Sequence, residues 1–198
     1  MTKLDFYFDI YSPYAYLAFH RLLKIAGEHD CEIRYHPVDL KLLKVSAGNT
    51  GPANIEIPPK IKYLMTDLKR WADRYGLPFG SIPKGKSHER INKGVFFADR
   101  EGQVEGYIRA AYALVWGRGG DADDDGELSA IAESMGWDAA AFLAWVGSTE
   151  ADGLFRDTND RAVAGGVFGV PIVIGDGEMW WGNDRLDFLQ EHLAGLAS

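Results

Sequence analysis

A single cysteine, Cys31, occurs in the 198 residues of this chain, which excludes an internal disulfide, a CxxC redox pair and a cysteine-built zinc cluster. Basic charge is also scarce. Lys and Arg number 21 against 29 Asp and Glu, for a formal net charge of -8, so a phosphate-backbone binder is not expected, and nucleic acid is excluded as a partner. A local basic patch can still serve a small acidic ligand. No apolar run is long enough to cross a bilayer, and Met1-Thr2-Lys3-Leu4-Asp5 lacks the basic flank and apolar stretch of a signal peptide. A cytoplasmic protein without a membrane partner is therefore expected. The five histidines are scattered, so no metal site is expected, and neither repeats nor low-complexity linkers occur. What remains, 46% hydrophobic and 25% charged residues, is ordinary globular composition for one domain with room for an insertion.

Leu4 to Phe8 alternates apolar and polar positions as a strand does and stops at Asp9-Ile10-Tyr11-Ser12-Pro13. A helical pattern follows through Leu17, Leu22 and Ile25, then a second strand around Glu32 to Val38, completing a β-α-β unit whose crossover implies a parallel pair. Beyond Asn49-Thr50-Gly51-Pro52 the period changes: Ile61, Leu64, Leu68, Trp71 and Tyr75 mark one helical face, closed by Gly76-Leu77-Pro78. Further helices are predicted at 88–98, 102–116, 127–135, 138–146 and 149–163. Pro171 to Ile174 and Glu178 to Trp181 read as a hairpin about Gly175-Asp176-Gly177, and Asn183 reads as the cap of a last helix buried through Leu186, Leu189 and Leu193. The order β-α-β, helical block, β-β-α predicts an α/β thioredoxin-like fold. Residues 1–46 and 165–198 would make the thioredoxin-like domain and 47–164 a helical insertion domain.

Several residues carry two readings. Ser12 before Pro13 is a helix cap with proline at the first helical position; it also stands at a helix start, where free N–H groups and the dipole favour an anion such as a thiolate. Val170-Pro171 opens a strand, with its isomer not decided by sequence. Trp181-Gly182-Asn183-Asp184-Arg185 is stabilising chemistry at a helix start, or a pocket in which Asp184 accepts from a ligand ammonium group. Lys44, Lys84 and Lys86 are solvated lysines or the cations an acidic substrate needs, and Asn54 is a turn former or a ligand group. Asp121, Asp123 and Asp125 imitate a calcium loop, but the glutamate position falls on Ala132, so calcium is rejected. Cys31, between Asp30 and Glu32, lacks a cationic neighbour and reads as structural.

Three segments carry a resemblance along nearly the whole chain. These are Asp5-Phe6-Tyr7-Phe8-Asp9 leading to Ser12-Pro13-Tyr14, Gly48-Asn49-Thr50-Gly51-Pro52-Ala53-Asn54, and Phe168-Gly169-Val170-Pro171 followed by Glu178 to Leu186. Together they resemble the 2-hydroxychromene-2-carboxylate isomerases, which belong with the kappa-class glutathione transferases and are related to bacterial periplasmic disulfide oxidoreductases. The resemblance implies glutathione held by Ser12, Val170, a cis Pro171, Trp181, Gly182, Asn183 and Asp184, with Ser12 catalytic. It implies a small aromatic carboxylate substrate met by Lys44, Asn54, Ile55 and Lys86, a homodimer, and a place in aromatic hydrocarbon catabolism such as naphthalene degradation. The sequence departs from the family at Ile55, where an arginine is expected, and at Pro83-Lys84-Gly85-Lys86; loss of an arginine removes a bidentate carboxylate partner.

The implied reaction is a cis-trans isomerisation by reversible thiolate addition, without redox change, Lys44 being the candidate to stabilise an enolate-like charge. Two other functions fit the same residues: a transferase conjugating an electrophile to glutathione, and a non-catalytic glutathione-binding module. Retention of Ser12 disfavours the last, and the Lys44 and Asn54 pocket favours isomerisation.

Overall fold

Leu4, Phe6 and Phe8 occupy alternate positions of β1 (Lys3–Phe8) and are fully buried. The two-residue period of a strand puts them on one face, and each is worth roughly 1.5–3 kcal/mol over the exposed alternative, enough to set the register. In the computed structural model, which describes residues 1–83 and 88–196, β1 lies inside a mixed four-stranded sheet. It pairs parallel with β2 (Glu32–Pro37) and antiparallel with β3 (Ile172–Gly175), which pairs antiparallel with β4 (Glu178–Trp181). The order is β2-β1-β3-β4, with Phe6 opposite Tyr35 on one side and Val173 on the other. Parallel neighbours require a crossover, supplied here by α1 (Pro13–Glu28).

Leu17, Leu22 and Ile25 of α1 are buried in the same cluster as Leu4, Phe6 and Phe8. Tyr7 points the other way and joins a second cluster with Val38, Leu43, Ala162 and Ile172. That second face is covered by α2 (Leu40–Ser46) and α8 (Thr149–Ala164), which pack on each other, α8 also touching β2. A 3-10 turn, Asn54–Glu56, leads into α3 (Pro58–Tyr75), which lies along α1 and ends where Gly76 adopts φ +67°. Then come α4 (Glu89–Arg100), α5 (Val104–Tyr112), α6 (Asp125–Ser134) and α7 (Ala139–Val146). Tyr112 of α5 meets Phe8, Tyr16 and Phe19 at ring centroid distances of 6.4, 5.5 and 5.6 Å. Helical block and sheet thus share apolar contacts.

Two local expectations are corrected. The helix expected over 102–116 stops as α-helix at Tyr112 and continues as a π-turn, Ala113–Gly117; the wider turn carries Trp116, whose indole Nε1 donates to the Ile10 carbonyl at 3.0 Å. Asn183 does not cap the last helix. Gly182, at φ +103°, takes the flanking position of a 3-10 turn, Asn183–Arg185, ahead of α9 (Leu186–Leu196). The Asn183 side chain turns inward and is 3% exposed. The chain enters α9 through that tight turn because only glycine adopts the required φ without strain.

Candidate active site

Ser12 sits in β conformation at the N-cap of α1, its Oγ accepting from the Ala15 N–H at 3.3 Å. The capping expectation therefore holds. Pro13 has no N–H and the Tyr16 N–H donates to the Ser12 carbonyl at 3.1 Å, which leaves the Tyr14 N–H without a partner among the described residues. One unpaired amide at a helix start, beside a hydroxyl whose proton meets no described protein acceptor, can hold a negative sulfur.

The loop that carries Ser12 is tied down from below. Asp9, 1% exposed, accepts through Oδ1 from the Tyr11 N–H and from Asn92 Nδ2, both at 2.9 Å, and through Oδ2 from the Leu40 N–H at 3.1 Å. Its carbonyl accepts from the Ser12 N–H at 2.9 Å. Asn92 Oδ1 in turn accepts from the Ile10 N–H at 3.0 Å. His88 Nε2 lies 3.2 Å from Asp9 Oδ2, off the line of a directional hydrogen bond, and its ring stacks on Tyr11 at 5.2 Å. Burial pushes the Asp9 carboxyl up, but His88, Asn92 and the Tyr11 amide outweigh it and hold the group below its ordinary value. Burial lowers His88, and contact with Asp9 together with the charges of Asp39 and Glu89 outweighs that, raising it. The two groups lie side by side under the loop, and each shift favours the charged form of its group.

Asp9, Asp39 and His88 bring potential ligand atoms within 4.8 Å of one another. Most of their oxygens are already engaged: Asp39 Oδ1 accepts from Lys41 and Leu42 as the cap of α2, and both Asp9 oxygens accept as above. The geometry reads as a structural network.

Just before β3 the Val170-Pro171 peptide is cis. Val170 is 8% exposed, yet neither its N–H nor its C=O is paired within the described residues. Beside it the Pro171 carbonyl accepts from the Gly182 N–H at 2.9 Å, and the Phe168 and Trp181 rings meet edge to face at 5.1 Å. The hairpin expected from sequence thereby sets Val170 beside the Trp181 to Asp184 segment. It brings Asp184 near the start of α1 as well: burial, the hydrogen bond to Asp67 and the charges of Asp67, Tyr63 and Asp184 all raise the Tyr14 phenol. Neither polar atom of the Asn183 amide makes a hydrogen bond of good geometry, the Tyr75 hydroxyl being the group near enough to feel it. A nearly buried peptide unit without a partner among the described residues, and a buried amide without a hydrogen bond of good geometry, fit a ligand with peptide groups of its own.

The expected substrate residues are less gathered. Lys44 lies in the last turn of α2 and not after a strand end, half-buried and without a carboxylate partner among the described residues. Asn54 Oδ1 accepts from Lys60 Nζ at 3.3 Å, and Ile55 is 59% exposed; no described contact joins either to the Ser12 loop. Lys84 and Lys86 lie outside the described residues. Cys31 sits at the edge of the sheet, its thiol raised by burial and by Asp176 and Asp30, as a structural thiol would be. Asp123 and Asp125, from the rejected calcium pattern, ion-pair with Arg90 at 3.6 and 2.6 Å.

Sequence reading missed Asn92, His88 and Trp116, and gave Asp9 no role beyond a strand stop and a place in the Asp5 to Asp9 segment. The available signal was a polar Asn92 next to Ile91 in a helix whose buried side also carries Val95 and Ala98, and it does not name a partner.

The family described as a DSBA-like thioredoxin domain matches residues 3–194. A 2-hydroxychromene-2-carboxylate isomerase of Sphingobium xenophagum is 42% identical over 194 residues, covering 98% of this chain and 99% of that protein. A solved structure of a 2-hydroxychromene-2-carboxylate isomerase superposes with a TM-score of 0.94 at 37% identity, over 98% of this chain and 96% of the other. Glutathione S-transferase kappa 1 of Rattus norvegicus is more distant, 24% identical over 94% of this chain and 88% of its own. No helix among the described residues is long and apolar enough to cross a membrane.

Proposed function

Because the chain belongs to the 2-hydroxychromene-2-carboxylate isomerase family of DSBA-like thioredoxin domains, we propose that it interconverts 2-hydroxychromene-2-carboxylate and trans-o-hydroxybenzylidenepyruvate, or a close aromatic analogue, with glutathione at the Ser12 loop. The observation that carries this reading is the start of α1, where the Ser12 hydroxyl and the unpaired Tyr14 N–H converge in a chain with no second thiol to make a redox pair. When bound, glutathione supplies a thiolate that adds reversibly to the conjugated double bond and leaves it free to rotate.

The chain's own residues supply the rest. Ser12 Oγ–H and Tyr14 N–H stabilise negative sulfur at neutral pH, reinforced by the α1 dipole. The unpaired main-chain groups of Val170 offer strand-like hydrogen bonds, Asp184 accepts from an ammonium group, and Trp181 with Phe168 closes one wall over them. Lys44 is the cation for charge that develops on the substrate oxygen. No electron changes hands, in keeping with serine at position 12.

The test is turnover of 2-hydroxychromene-2-carboxylate followed spectroscopically with and without glutathione, in wild type and Ser12→Ala. Glutathione-dependent interconversion with no net thiol consumption, lost in the variant, is the expected result. Stoichiometric thiol loss would assign a kappa-like transferase instead; turnover that needs no glutathione would refute the reading.

A further inference from the structure

More than two helical turns beyond Ser12, about 12 Å along α1 at 1.5 Å per residue, a cavity of about 510 Å³ opens where α1, α3, α5 and α9 converge. Its lining includes none of Ser12, Val170, Trp181 and Asn183, although Tyr75 borders both. Four cations line it, Arg21, Lys24, Arg74 and Arg109, against one carboxylate, Asp187, in a chain whose net charge is -8. Such segregation works against the overall charge and concentrates positive potential in one recess.

The positive charge is only partly answered. Arg21 reaches Asp187 at 3.3 Å and also bonds Gln190, and Arg109 bonds Glu105 on its own helix at 2.7 Å. Lys24 and Arg74 have no carboxylate partner among the described residues, and Arg74 stands 5.0 Å over the Trp71 ring. Trp71 and Tyr75, with centroids 5.6 Å apart, make the wall an aromatic one. His20 registers the imbalance: burial first, then the charges of Arg109 from α5 and Lys24 from α1, lower it to about 4, and its Nδ1 lies 3.5 Å from Arg109 Nη1. The other rings against it, Tyr16 and Phe19, bring no charge at neutral pH.

We propose that this recess is a second ligand site, distinct from the Ser12 centre, that takes a small aromatic carboxylate, its anionic group between Lys24 and Arg74 and its ring against Trp71 and Tyr75. The volume falls within the roughly 300–1,000 Å³ of small-molecule sites, and an aromatic wall beside a few convergent charged groups is their usual construction. A carboxylate supplies the charge that the cavity lacks, and an aromatic ring uses the wall that inorganic anions leave bare. Asp184 and Asp187 lie on either side of the entry to α9, so occupancy is placed to be felt at the Ser12 centre without being part of it.

The probe is 1-naphthoate, with inorganic phosphate and neutral 1-naphthalenemethanol as controls, added to the full chain and followed by calorimetry and by the His20 ring resonances. The expected result is saturable 1-naphthoate binding that raises the His20 titration midpoint, weakened about tenfold or more in Lys24→Glu/Arg74→Glu and weakened in Trp71→Leu, which keeps the cations. The charge-reversed protein should keep its isomerase turnover at low substrate. Four outcomes would overturn the proposal: no saturation by about 10 mM, unchanged affinity in both variants, phosphate or the neutral alcohol binding as well as 1-naphthoate, or a change of oligomeric state on charge reversal, which would assign the cations to a subunit contact.

Discussion

Asp9 and Asn92, 83 residues apart in the chain, share a 2.9 Å hydrogen bond beneath the loop that carries Ser12. Each also holds a main-chain N–H of that loop, Asp9 that of Tyr11 and Asn92 that of Ile10. The loop is therefore positioned in part by α4, a helix that follows it by some eighty residues and also packs on β2. Asp9→Asn keeps the shape but removes the charge opposite His88 and sets one amide against another. Loss of one partner from a buried pair costs about 3–5 kcal/mol, so denaturant midpoints should fall accordingly. In glutathione-dependent turnover kcat should fall more than KM. A variant with wild-type kcat would show that the loop keeps its geometry without the carboxylate.

The same pair predicts a pH window. His88 is held above its ordinary 6.5, so the stability it contributes is fully present below that value and is lost as pH rises through the raised one. Asp9 is held below its ordinary 3.8, so its contribution is present above that value and is lost as pH falls through the lowered one. Stability should form a plateau between the two, measured as thermal midpoint against pH. His88→Gln should flatten the alkaline side and also weaken the acid limb, because His88 is the first of the groups that hold Asp9 down; an unchanged alkaline limb would remove His88 from the account.

Packing inside α4 gives a prediction of opposite sign to helix propensity. A Cβ at Gly94 would fall 2.0 Å from the Tyr107 hydroxyl oxygen and 3.0 Å from the Phe142 ring. That hydroxyl is fixed by its 2.8 Å bond to the Ile91 carbonyl, in a side chain fully buried. Gly94→Ala gains about 1 kcal/mol in helix propensity but displaces the ring and orphans the hydroxyl, each worth about 1–3 kcal/mol. Net destabilisation is expected by urea titration. Tyr107→Phe in the Gly94→Ala background should recover part of it.

Asn183 separates folding from ligand binding. Its amide is buried without a hydrogen bond of good geometry, a penalty of about 1–3 kcal/mol. Asn183→Leu should therefore raise the thermal midpoint of the free protein while abolishing the further rise that the proposed glutathione binding would give the wild type. The half-buried Tyr75 hydroxyl can turn to water. A variant still stabilised by glutathione to the wild-type extent would remove Asn183 from the ligand's contacts.

Much of the fold was legible because it rests on local rules. Alternation at Leu4, Phe6 and Phe8, proline after Ser12, and the glycine that closes α3 each act within a few residues, and the order of elements then admits few topologies. The Asn183 cap and the straight continuation of α5 were misread because Gly182 and the turn that carries Trp116 answer to packing against other elements. The motifs at Ser12, Val170 and Trp181 could be found in sequence, since each is contiguous. Their assembly could not, and neither could Asn92 and His88 under Asp9, nor Lys24 and Arg74 lining one recess. The sequence by itself determined which short segments fold and which functional groups they carry, because propensity and periodicity are short-range. Only the tertiary structure decided which charges and unpaired groups meet, because burial and hydrogen bonding between residues 83 apart depend on how whole elements pack.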